Sequence, residues 1–146
     1  MTVQVIDLGL DRILGDLSGL GDIEVSIGYM DPTPDEVISR AAHNEFGTVN
    51  MVARPFMRSA VDSGVDRLMS EFSDIIGDMI DGTGDAKHAA KEMGESVRDV
   101  IEERIDSSRQ WAAPLKPYTI ERKGHDQPLI DTEEMYDSIT IRVDGK

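Results

Sequence analysis

With 146 residues, the chain has the length of one ordinary domain. Its 29 acidic and 15 basic side chains give a formal net charge of -14, which argues against a primary role in gripping nucleic acid, because phosphate binding needs clustered Lys and Arg. The absence of cysteine removes disulfide frameworks and thiolate chemistry and fits synthesis in a reducing cytoplasm.

The first residues, MTVQVIDLGLDRIL, have no basic leader and no long apolar run, so they do not read as a signal peptide. No stretch approaches the roughly 18 continuous apolar residues of a membrane span. Ile6, Leu10, Ile13, Leu14 and Leu17 recur at helical spacing and predict an amphipathic helix over 6–17, ended by Ser18, Gly19 and Gly21. Ile23, Val25, Ile27 and Tyr29 then alternate with Glu24, Ser26 and Gly28, the period of a half-buried strand. Pro34, Asp35 and Glu36 suit a first helical turn, so a helix is expected up to Gly47. Residues 48–53 fit a loop or a weak strand.

From Pro55 the pattern is clearest. Val61, Val65, Leu68, Phe72, Ile75 or Ile76, and Met79 suggest one apolar stripe, which Asp81-Gly82-Thr83-Gly84 breaks. Ala86, Ala90, Met93, Val97, Val100 or Ile101, and Ile105 mark a second helix over about 85–107. Two helices joined by a Gly-rich turn predict an antiparallel hairpin spanning about 55–107. Its outer faces are expected to be acidic, with thirteen acidic and five basic residues between Ala60 and Asp106.

Residues 108–130 carry Trp111, three prolines and the basic side chains Arg109, Lys116, Arg122 and Lys123. They read as a surface-hugging, irregular arm with a short helical turn. A helical turn at 131–138 precedes a second strand on Ile139, Ile141 and Val143. The expected fold is a single α+β domain over 1–146. A small antiparallel sheet packs against the long helical hairpin, with short helices around it and residues 48–53 a candidate third strand.

The residues offer little chemistry. No Ser sits in a Gly-x-Ser-x-Gly setting, and Gly82-Thr83-Gly84-Asp85-Ala86-Lys87 is too short for a phosphate-binding loop. His43, His88 and His125 fall in three different elements, and His43 and Glu45, two apart, point to different helix faces. A non-enzymatic protein with no metal and no cofactor is the expectation, with a hydrolase hidden among the carboxylates as a weaker reading.

AAHNEFGTVNMVARPFMRSAVD, residues 41–62, resembles the His-Glu-Phe-Gly … Ala-Arg-Pro-Phe signature of tailed-phage tail-completion proteins. This family is also described as virion-morphogenesis, minor tail-component or head–tail joining neck proteins. WAAPLKPYTIERKGHDQPLIDTEEMYDSITIRV, residues 111–143, is similar to the same family's closing pattern. The family commonly has Gly after the Asp-Thr pair, where this chain has Glu133. The resemblance implies a structural protein of the virion neck or tail, assembled in the host cytoplasm. It implies a homo-oligomeric ring, six- or twelvefold, joining the head connector to the tail tube and its terminator. DNA would pass the lumen without specific binding, and no membrane is involved.

Within that frame Gly47 is expected to end its helix sharply, Phe46 to serve as an apolar anchor and Glu45 to pair with Arg54 across the loop. Arg54-Pro55 would open the long helix, with Phe56 and Met57 packed beneath. Trp111, Lys116, Arg122 and Lys123 are the candidates for reaching a neighbouring subunit's acidic hairpin. The alternative is an acidic interaction module, a DNA mimic or inhibitor that binds a basic protein.

Overall fold

A computed structural model describes residues 9–145, so the part of the first expected helix around Ile6 lies outside the described residues. In chain order the elements are α1 (Leu10–Gly21), β1 (Ile23–Gly28), α2 (Asp35–Phe46), α3 (Phe56–Ile80), α4 (Ala86–Asp106), α5 (Ser108–Trp111), α6 (Pro117–Lys123), α7 (Glu134–Asp137) and β2 (Thr140–Gly145). The architecture is α+β, with α3 and α4 packed as a hairpin against a two-stranded antiparallel sheet.

The hairpin turn follows from its residues. Gly82 and Gly84 take positive φ angles of 94° and 83°, and Asp85 caps α4 by accepting from the His88 N–H at 2.9 Å. On α3 the buried face runs through Phe56, Ala60, Leu68 and Met79, with Phe72 and Ile75 beside it. Val61, Val65 and Met69 point outward instead. The stripe expected from Val61 and Val65 is therefore displaced by one residue. Small side chains win the core positions because α4 comes close: a Cβ on Gly64 would lie 3.3 Å from Val100 Cγ1.

β1 and β2 pair antiparallel with Val25 opposite Val143 and Ile27 opposite Ile141. Their apolar side lies on α4, where Gly94 leaves room for Val25 and Ile141. Glu24, Arg142 and Asp144 alternate to the exposed side, as a period of two requires. Residues 48–53 do not add a third strand. Thr48 and Met51 form an isolated bridge away from the sheet, exchanging N–H···O bonds of 2.9 and 3.2 Å.

One core cluster joins Val37 and Ala41 of α2, Phe56 and Leu68 of α3, and Ile101 and Ile105 of α4 to Leu129, Met135 and Ile139 near the far end of the chain. Full burial of a side chain such as Ile105 contributes about 2 kcal/mol. A second cluster of Met79, Ala86 and Ala89 seats Leu20 and Ile23. Helix α1 rests there with no fully buried residue of its own, and Arg12 ties it to the Met79 and Ile80 carbonyls at 3.2 and 2.7 Å. No described helix is long and apolar enough to cross a membrane.

Candidate interface

The segment from Glu45 to Arg58 is a joint between α2 and α3. Pro55, at the N-cap of α3, offers no capping side chain, so the first N–H groups of that helix need another acceptor. Glu45 supplies it. Its carboxylate, 5 % exposed, accepts from the Met57 N–H at 2.9 Å, the Arg58 N–H at 3.2 Å and Arg58 Nε at 2.9 Å. A carboxylate at the positive end of a 25-residue helix is well placed electrostatically.

Two expectations are corrected here. Glu45 pairs with Arg58 rather than Arg54, because the helix N-terminus draws the carboxylate to that side. Arg54, 6 % exposed, donates instead from Nε to the Ala113 carbonyl at 2.8 Å and from Nη2 to the Pro114 carbonyl at 3.3 Å. Phe46 is not a buried anchor: it is 70 % exposed, with the Arg58 guanidinium 5.2 Å from its ring centroid. Phe56 takes the anchoring role, fully buried and edge-on to Tyr29 with ring centroids 6.4 Å apart.

Gly47 turns the chain at φ 76° and ψ 178°, a region essentially open only to glycine. A Cβ there would also meet Ala53 N and Met51 O at 2.9 Å. The turn sends residues 48–52 out as a tight loop whose Val49 and Val52 are exposed.

The segment 108–130 packs back onto its own chain. Trp111 donates from Nε1 to the Arg104 carbonyl at 2.8 Å, and the Arg104 guanidinium sits 4.1 Å above its ring. Gln127 donates to the Asp106 carbonyl at 3.1 Å, and Lys123 Nζ to the Gln127 carbonyl at 2.8 Å. The reason is chemical: an indole next to a helix end finds there a carbonyl, shared with the Ser107 hydroxyl, and a cation on its own chain. Within the segment, α6 starts on Pro117 and ends on Gly124 in the left-handed conformation, both ordinary helix signals.

Because Arg54 holds Ala113 and Pro114, the 48–52 loop and the start of α6 stand opposite each other across an open concavity of about 580 Å³. Arg54, Lys116 and Arg122 line it together with Val49 and Val52. None of these three cations makes an ion pair among the described residues, whereas Arg58, Arg67 and Arg109 all do. Burial lowers the pKa of Arg54 below its ordinary value. Lys123, beside the concavity, is also lowered, first by burial, with Arg54 and Arg122 adding to the effect and Asp131 opposing it.

Elsewhere the hairpin is acidic, as expected. Glu71, Asp74, Glu92, Glu95 and Asp99 border a groove between α3 and α4. Among the described residues no three His, Cys, Asp or Glu side chains converge as a metal site would need. The sequence reading missed Arg58 as the partner of Glu45 and missed the outward face of Val61, Val65 and Met69. Only the latter had a signal, a three-residue stripe in step with the core stripe and one position away. Comparison of the chain with protein-family models, curated proteins and solved structures finds no match.

Proposed function

We propose that this chain is a non-enzymatic structural subunit of a tailed-phage virion, of the neck or tail-completion type. It assembles as a ring between the head connector and the tail tube with its terminator, and DNA passes through the lumen. The reading starts from the resemblance of residues 41–62 and 111–143 to that family. The observation that carries it is that these two distant segments meet as one joint. Arg54 of the first holds the Ala113 and Pro114 carbonyls of the second, and Phe56 shares a core with Leu129, Met135 and Ile139. Their joint occurrence in the sequence thus has a common structural reason.

A second observation agrees. Glu133 stands where the family commonly has Gly, and it adopts φ 63°, the left-handed conformation that a glycine would take without strain. The acidic hairpin suits a lumen as well, since carboxylates repel phosphates and keep passing DNA from adhering.

Light scattering over a wide concentration range, followed by negative-stain imaging, tests the proposal. Rings with a hole wide enough for duplex DNA, or rings formed on purified connector or tail-tube ends, are the expected outcome. A protein that stays monomeric alone and binds neither virion component would overturn it. The acidic groove beside Glu71, Asp74, Glu92, Glu95 and Asp99 favours one other reading, an acidic module that occupies the groove of a basic protein. Tight, salt-sensitive capture of a nucleic-acid-binding protein by the monomer would mark that case.

A further inference from the structure

Two exposed surfaces of this subunit match each other and cannot meet within one chain. The first is the concavity between the 48–52 loop and α6, where Val49 and Val52 stand beside Lys116 and Arg122, with Arg54 in the wall. Arg54 is a buried cation whose only partners are two carbonyls, which leaves its charge without a counter-charge among the described residues. Such a group costs stability until an anion approaches.

The second surface is the outward side of α3. Val61, Val65 and Met69 are exposed at steps of four residues. At about 100° per residue they span an arc of roughly 80°, and Asp62 and Asp66 continue that arc on one side. Both aspartates are exposed, and neither makes an ion pair among the described residues. An apolar strip bordered by Asp62 and Asp66, with the cation at its start, Arg58, already paired to Glu45, thus complements an apolar loop bordered by unpaired cations. Asp66 lies about 15 Å along a rigid helix from its first residue, so the chain cannot fold its own α3 face into its own concavity.

We infer that the concavity receives the α3 face of a second copy of this chain, with Asp62 and Asp66 of one copy meeting Lys116 and Arg122 of the next. Val61, Val65 and Met69 pack on Val49 and Val52 in the same contact. Donor and acceptor are different surfaces of one subunit, so the contact is heterologous and propagates head to tail. This names the subunit contact of the proposed ring and rests on that reading for its closure, though not for its existence.

Charge reversal tests it, using full chains whose folding is checked by thermal melting. Lys116→Glu with Arg122→Glu removes the acceptor, and Asp62→Lys with Asp66→Lys removes the donor, all at exposed positions. Each double variant alone is expected to need at least about tenfold higher concentration to self-associate. An equimolar mixture is expected to regain the wild-type mass, because every contact can then pair opposite charges. A folded double variant that assembles like the wild type would overturn the contact while leaving a ring possible by another surface. Folded variants whose mixture stays monomeric would overturn it too. A wild type that stops at a dimer, yet shows the loss and the rescue, would mean that the two surfaces meet reciprocally, and would overturn both the head-to-tail propagation and the ring.

Discussion

Glu45 is one carboxylate with three donors on it, two from the backbone of a helix that has no cap of its own. Glu45→Gln keeps the shape and removes the charge. The expected cost is about 1–2 kcal/mol, read as a lower urea midpoint. An unchanged midpoint would mean that Arg58 and water can cap α3 unaided. Glu133 works in the opposite direction. A side chain held at φ 63° is strained, so Glu133→Gly is expected to raise stability by up to about 1 kcal/mol, and a lowered melting temperature would refute this. Tyr29 ties β1 to α7 by donating to the Met135 carbonyl at 2.8 Å. Burial first, and the Glu45 charge second, push its pKa above the ordinary value of 10.0. Above that pH an unfolded chain releases the tyrosine proton while the folded chain keeps it. The folded state then holds more protons, so this contribution is complete below pH 10 and declines as pH rises further. In Tyr29→Phe the alkaline loss of stability should be shallower, measured by urea melts on both sides of pH 10. Equal slopes in the two proteins would dismiss the role.

At the level of elements, the hairpin and the sheet meet through an absence of side chain. Gly94 lies mid-helix in α4, where alanine would improve helix propensity by about 1 kcal/mol. A Cβ there would come within 2.8 Å of Ile141 Cγ2 and 3.0 Å of Val25 Cγ1. Packing should outweigh propensity, so Gly94→Ala is expected to destabilise by about 1–2 kcal/mol, with a gain in stability as the contrary result. The same contest explains what could be read in advance. Periodicity located α3, α4 and both strands, because their apolar spacing is regular, whereas α2 was located by Pro34, Asp35 and Glu36 at its start and Gly47 at its end. Periodicity misplaced the buried stripe of α3, because Val61 and Val65 look more apolar than Ala60 and Gly64. Only the closeness of α4 makes the small residues the inner ones. For the joint, the resemblance of residues 41–62 to the family signature singles out Glu45 and Arg54, but pairs them with each other. A preference for a helix N-terminus twelve residues on is a tertiary fact, and so is the concavity, whose walls come from segments some sixty residues apart.

For the molecule as a whole, a net charge of -14 in a chain this size works against compaction. The ion pairs are mostly exposed, as in Arg67 with Glu71 and Glu103, and such pairs contribute little individually. Raising salt from about 10 mM to about 150 mM shortens the screening length from about 30 Å to about 8 Å. Screening of the overall repulsion should dominate and raise the melting temperature by roughly 2–5 °C. A fall would show that the surface pairs matter more than the net charge.

The pairing of β1 with β2 also sets a schedule at the ribosome. Thr140 bonds to Gly28 across 112 residues, so at bacterial or eukaryotic elongation rates of 5–20 residues per second the first strand waits roughly 6–20 s for its partner. During that wait Val25 and Ile27 have nothing to pair with, and the core lacks Leu129, Met135 and Ile139. A nascent chain stalled before that point displays an unpaired strand over an open core, the kind of surface that chaperones and proteases seize. Translation through the second strand therefore closes the sheet and the core in one late step.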